Sequence, residues 1–314
     1  MRILITGGAG CLGSNLLEHW LPSGHEVLVV DNFATGKREV LPDTAGLTVM
    51  EGSVADEKMM RSVFDSFDPE FVVHSAASYK DPSDWTEDTA TNVAGAVLTA
   101  KESLRKGVKR IVNFQTALCY GRPRTLPVPA EHSTAPFTSY GISKTAGEAY
   151  LLHSGLPVVS LRLANICGPR LAIGPIPTFY KRLKAGQSCF CSDTVRDFLD
   201  MSDFLSLMDL LLESPDFPTG AFNVSTGEGR SIKDVYDAVA KYLDIRPPEV
   251  PIVPPGADDV PAMILDPSET ERKLGWRAGV SFEETIGRQL RWYDAHGVTD
   301  VFSHLAQPKK EGLR

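Results

Sequence analysis

The sequence predicts an α/β fold: a doubly wound parallel sheet followed by a smaller C-terminal region. Three observations carry this. Short apolar runs alternate with longer amphipathic segments through the first half of the chain. Each gap between runs is long enough for a helix, which makes βαβ units, and right-handed crossovers then put helices on both faces of the sheet. After about Asn165 the texture changes, with prolines and glycines crowding 168–177 and again 247–261.

Taken in order, strands are expected at 3–6, 27–31, 48–51, 71–74, 110–114 and 158–162. Helices are expected at 13–20, 57–67, 90–106 and 140–152. Residues 1–165 then form a dinucleotide-binding domain, and 166–314 mainly bind substrate, partly interleaved with the first. The second region completes a cleft rather than standing alone.

The 314 residues are 42% hydrophobic and 23% charged, ordinary for a globular protein that buries a full core. The net charge is -8 and the pI about 5.4, with no Lys/Arg block, which argues against a nucleic-acid partner. Lys309-Lys310 reads as a solvated tail. No run approaches the roughly 18 apolar residues of a membrane span, and Ile3-Leu4-Ile5 passes straight into glycines, unlike a signal peptide. A cytoplasmic protein is expected. The five cysteines, Cys11, Cys119, Cys167, Cys189 and Cys191, are odd in number and form no CxxC pair, as suits a reducing compartment. Cys189-x-Cys191 lacks nearby partners at ligand spacing, so no metal is expected.

The sharpest local signal is Thr6-Gly7-Gly8-Ala9-Gly10-Cys11-Leu12-Gly13, between the first strand and the first helix. Gly7, Gly10 and Gly13 permit a tight turn, close backbone approach to a pyrophosphate and close helix–sheet packing. The helix N-terminus adds free N–H groups for the phosphates. The second strand ends on Asp31, about 20 residues beyond the loop, where a carboxylate can accept from ribose hydroxyls and repels the 2′-phosphate of NADP. The fold is therefore Rossmann-type and the expected cofactor NAD. Lys37 and Arg38 nearby leave NADP open.

Tyr140-Gly141-Ile142-Ser143-Lys144 sets a phenol and an ammonium at i, i+4 on one helix face. A neighbouring cation is expected to lower the phenol's pKa and fit it for proton transfer near neutrality. Thr116, just past the fifth strand, can hydrogen-bond a substrate oxygen beside Tyr140. An ordinary strand-end threonine and a chance Y-x-x-x-K are the plainer readings of these residues, and the glycine loop upstream weighs against them.

With these motifs the chain resembles the extended short-chain dehydrogenase/reductase family over nearly its whole length. The likeness is to its nucleotide-sugar epimerases, such as UDP-glucose 4-epimerase, and to epimerase-like enzymes of bacterial O-antigen and other surface-polysaccharide loci. The motifs include the glycine loop, Asp31-Asn32, His74-Ser75-Ala76-Ala77, Asn92-Val93-Ala94-Gly95, Tyr140/Lys144, Leu161-Arg162-Leu163-Ala164-Asn165 and Val195-Arg196-Asp197-Phe198. The resemblance implies NAD contacts from Gly7, Gly10, Cys11, Leu12 and Gly13, and from Asp31, Asn32, Phe33, Thr35 and Gly36 after the second strand. It extends them to Ser53 and Val54, to Ser75, Ala76 and Ala77, to Asn92 and Ala164, and to Tyr140 and Lys144. Ser53 stands where the family usually has an adenine-holding aspartate. Substrate contacts are implied for Thr116, Asn165, Phe190, Arg196 and Asp259, with Arg196 on the diphosphate.

The implied reaction is C4 epimerisation of a UDP-sugar through a transient 4-keto form, with Thr116, Tyr140 and Lys144 catalytic and NAD recycled in place. Related 4,6-dehydratases follow the threonine with Asp-Glu, and decarboxylases place a Glu two residues after it. Here Ala117 and Leu118 offer no acid or base. Family 3,5-epimerases use a cysteine two residues after the threonine. Cys119 stands three after, which in extended chain points it to the other face, so it is expected to pack. The family's R-x-G-D arginine is replaced by Gly256, in Gly256-Ala257-Asp258-Asp259. A keto-sugar reductase that releases its cofactor, and a non-catalytic dinucleotide-sensing scaffold, are the competing readings. By resemblance a homodimer is expected, through the helices at 90–106 and 140–152.

Overall fold

The structure, a computed structural model, describes residues 1–246, 249–256 and 259–302. Lys309-Lys310, and Ala257 and Asp258 of the glycine-aspartate stretch, lie outside the described residues. The first half runs β1 (Arg2–Thr6), α1 (Cys11–Trp20), β2 (Glu26–Asp31), β3 (Leu47–Glu51), α2 (Glu57–Phe67), β4 (Phe71–His74), α3 (Trp85–Asp88), α4 (Gly95–Lys106), β5 (Arg110–Thr116), α5 (Ser139–Leu152) and β6 (Val158–Leu163). The remainder comprises β7 (Asn165–Cys167), α6 (Pro175–Lys184), β8 (Cys191–Ser192), β9 (Val195–Arg196), β10 (Phe198–Asp200), α7 (Met201–Glu213), β11 (Gly220–Val224), β12 (Arg230–Ser231), α8 (Ile232–Tyr242), β13 (Ile252–Val253), β14 (Ala262–Met263), α9 (Ser268–Leu274) and α10 (Phe282–His296).

Seven strands form one parallel sheet in the order β11-β6-β5-β4-β1-β2-β3. The Rossmann-type expectation holds. The inner strands β1, β2, β4, β5 and β6 are buried on both sides, as a doubly wound sheet requires, while the edge strand β3 is only partly covered. Ile3, Ile5, Val27, Val29, Phe71 and Val73 face a core shared with α1 and α7, whereas Leu4, Leu28, Val30 and Val72 face the core of α2 and α4. The seventh strand comes from 220–224, well beyond Asn165, so the sheet draws on both halves of the chain. The second half adds small sheets, β10-β7, β12-β9-β14 and β13-β8, around a third core that includes Phe179, Tyr236 and Tyr293.

Local chemistry sets the helix ends. The Asp56 side chain caps α2 by accepting from the N–H groups of Lys58 and Met59 at 2.9 and 3.1 Å. Thr138 caps α5 through the Gly141 N–H, and Ser231 with Asp234 makes a capping box on α8. The helix expected over 90–106 is not uniform: Thr89–Ala94 is a π-helical turn that leads into α4. Hydrophobic periodicity does not report that widened backbone register.

Candidate active site

The order of the strands reverses between β1 and β4, and loops leaving the carboxyl ends of the strands diverge there. A cleft of about 590 Å³ opens at this point. One wall is the glycine loop. Gly7 has φ +68, and a Cβ on it would fall 2.7 Å from the backbone N and Cα of Ala76, so only glycine lets the two loops meet. A Cβ on Gly13 would fall 2.6 Å from Gly8 Cα, which makes this glycine a packing residue beneath the loop. Gly10 by contrast would meet only the Gly7 carbonyl, at 3.3 Å, and its bare Cα faces the cleft. The helix that follows has no side-chain cap and no acidic residue in its first turn. Its first N–H groups are thus left for an anion.

Asp31 is 7% exposed and lines the cleft. Its carboxylate accepts from the N–H groups of Ala9 (2.9 Å) and Phe33 (2.8 Å), which fixes it between the glycine loop and the following turn. Lys37 is bound to Thr299 and Asp300, and Arg38 to Glu51 while lying over the Phe33 ring. The two cations that left NADP open are therefore both engaged by protein groups.

Thr116, Tyr140 and Lys144 line the same cleft, beside Ser75, Ala76, Ala77 and Ala164. Lys144 is 5% exposed, and burial brings its ammonium down to about 8, with Glu148 one turn along α5 opposing the shift. Burial raises the Tyr140 phenol above its ordinary value, and Tyr79 adds to this while Thr116 pulls the other way. The expected lowering by a neighbouring cation is not seen in the chain by itself, where desolvation of the phenolate dominates and only the Thr116 hydrogen bond opposes it. Buried His74, bonded through Nδ1 to the Thr6 hydroxyl at 3.0 Å, is pushed down to about 3 by burial and by Lys144, and is neutral at physiological pH.

Cys11, Leu12, Asn32, Thr35, Ser53 and Val54 also line the cleft. Phe33 and Gly36 stand behind it: Phe33 under Arg38, and Gly36 with room for no Cβ because Ala9 lies 2.7 Å from where one would sit. Asn92 is buried, holding Ser78 backbone groups at 2.9 and 3.0 Å and the Ser143 hydroxyl at 3.0 Å, so it ties the loop after β4 to α5. Asn165, Phe190, Arg196 and Asp259 do not reach the cleft walls. The Asn165 amide donates to the Asp197 carbonyl at 3.0 Å, and Phe190 is half-buried just before β8. Arg196 and Asp259 are brought together as an ion pair, with Arg196 on β9 between β12 and β14.

Cys119 is buried with Ala117, Tyr120, Val128 and Leu265, and burial pushes its thiol up to about 12. It packs, but through a 3₁₀ turn over Ala117–Tyr120 rather than by strand alternation. Tyr79, Lys80 and Gln115 line the cleft without having been singled out from the sequence. The Tyr79 ring meets that of Tyr140 edge-on at 6.3 Å. Its place two residues after the His74-Ser75-Ala76-Ala77 run is the sequence signal by which it could have been found. Among the described residues no cluster of three or more His, Cys, Asp or Glu is arranged to hold a metal ion.

The model of the NAD dependent epimerase/dehydratase family matches residues 3–225. The chain belongs to this family. The structure of the Bordetella bronchiseptica enzyme WbmG in complex with NAD is 70% identical, with a TM-score of 0.92 and 98% of each chain covered. WbmG in complex with NAD and UDP matches at 69% identity and the same TM-score, covering 97% of each chain. The UDP-glucose 4-epimerase of Corynebacterium glutamicum is 31% identical, covering 88% of this chain and 90% of that protein. The protein is thus an NAD-dependent epimerase of the extended short-chain dehydrogenase/reductase type, and NAD is its cofactor. The residues present fit NAD: an uncapped helix start, a glycine whose missing side chain leaves the cradle open, and a fixed carboxylate at the end of β2.

Proposed function

We propose that the protein inverts C4 of a UDP-sugar through a transient 4-keto form, in the cytoplasm, for surface-polysaccharide (O-antigen) precursors. The observation that carries this is the convergence of Thr116, Tyr140 and Lys144 on the cleft that also holds the glycine loop and Asp31. UDP in WbmG and the activity named for the Corynebacterium relative support the nucleotide and the position. NAD, when bound, supplies the group that takes up the C4 hydride and returns it. Tyr140 carries the proton of the 4-hydroxyl away and back, and Thr116 holds the 4-oxygen. The Lys144 ammonium offsets the cost of a buried phenolate. Ala117 and Leu118 supply no second acid or base, which favours epimerisation over water loss.

A homodimer through α4 and α5 is part of this reading. Leu104 and Tyr150 are 51% and 58% exposed, and with Val97, Ala100 and His153 they line a shallow apolar groove across those two helices.

The test joins cofactor content to mutation. Ultraviolet and mass analysis of the denatured protein is expected to find NAD at about one per chain, as an internal redox cycle requires. Tyr140→Phe is expected to keep that NAD while abolishing conversion of a UDP-hexose. Near-normal turnover in this variant would sink the mechanism, and an empty protein that consumes NADH with a keto sugar would favour a reductase.

A further inference from the structure

Thr116 and the Tyr140–Lys144 pair lie on different elements, so their spacing depends on how α5 is fixed against β5. Two buried polar links do this on one face of the sheet. Gln115, 2% exposed, accepts at its side-chain oxygen from the Thr116 N–H (2.7 Å) and donates from Nε2 to the Lys144 carbonyl (3.0 Å). Two residues earlier on the same strand face, Asn113 donates to the Ser160 hydroxyl (2.9 Å), which donates to Glu148 (2.7 Å). Glu148 is one helical turn after Lys144 and also holds Arg162. Two strand residues span about 6.6 Å and four helix residues about 6 Å, so the links match in pitch and lock the register of helix against strand.

We propose that Gln115 is a positioning residue for epimerisation: by bridging the Thr116 N–H to the Lys144 carbonyl it sets the distance between the Thr116 hydroxyl and the Tyr140–Lys144 face. This rests on the catalytic reading of those three residues. A carbonyl has two lone pairs, so the Lys144 C=O serves its helix bond and Gln115 together. Misplacement by about 1 Å is enough to cost on the order of a hundredfold in rate.

The experiment is a double-mutant cycle on the NAD-loaded full chain. Gln115→Leu is expected to lower kcat at least tenfold, with KM and NAD content near wild type and a melting temperature lowered by the two lost buried hydrogen bonds. In a Thr116→Val background the same change is expected to cost little more, because Gln115 acts through a group already lost. Gln115→Glu keeps the shape and the acceptor for Thr116 but, ionised, cannot donate to Lys144. Its kcat is expected to be low at neutral pH and to recover as pH falls and the carboxyl regains a proton, and this variant serves if Gln115→Leu does not fold. Fully additive losses, a KM that rises in step with the fall in kcat, or a pH profile for Gln115→Glu parallel to wild type would each overturn the assignment. An active Tyr140→Phe would instead overturn the catalytic reading itself, so the two failures are distinguishable.

Discussion

Gly7 and Gly10 sit three residues apart in one loop, yet their roles separate cleanly. At Gly7 a side chain would meet both a left-handed backbone and the Ala76 main chain, and Gly7→Ala is expected to destabilise the fold by about 2–4 kcal/mol in urea unfolding. At Gly10 the space belongs to the cleft. Gly10→Ala is expected to leave the unfolding midpoint nearly unchanged while the purified protein carries much less NAD; equal NAD loss and equal destabilisation in the two variants would contradict this division. The meeting of Tyr140, Lys144 and Thr116 on one cleft was legible because the proposed chemistry requires particular residue types at a particular spacing. Gln115 was not, since a polar residue at a strand end has no periodic signature and its meaning lies in a helix it meets 29 positions later. The Arg196–Asp259 pair was also hidden as a contact, because 63 positions of chain separate its members.

At the scale of elements, the ends of β1 and β4 are joined by the Thr6–His74 hydrogen bond. The folded chain keeps His74 neutral down to about 3, whereas the unfolded chain binds a proton below 6.5. Folding therefore loses stability as pH falls through 6.5, by about 2 kcal/mol at pH 5. Urea titrations at pH 7.5 and 5 are expected to show this loss in the wild type and a correspondingly smaller one in His74→Gln; equal losses would place the acid sensitivity elsewhere. Six sheet strands and most first-half helices could be read from apolar periodicity alone. β11 could not. Asn223 interrupts its short apolar run, and this fully buried amide serves the Val128 carbonyl and the Tyr120 hydroxyl rather than solvent. The π-helical turn before α4 escaped for another reason: it leaves side-chain polarity unchanged and alters only which carbonyl each N–H meets.

For the whole molecule, the apolar groove on α4 and α5 leads to an expected dimer by light scattering at micromolar concentration. Leu104→Glu with Tyr150→Glu is expected to yield a folded monomer that retains NAD; a persistent dimer would move the interface to another face. The overall architecture was legible because βαβ alternation leaves few topologies, whereas the loops that meet at the cleft mouth are set by contacts between distant segments. The late arrival of β11 has a consequence for biogenesis. β6 is synthesised well before its outer neighbour, and until residues 220–224 dock, its outer row of N–H and C=O groups is unpaired. A chain emerging from the ribosome thus carries an adhesive sheet edge through the making of α6 and α7, and its own later segment serves as the cover that keeps one nascent copy from pairing with the next.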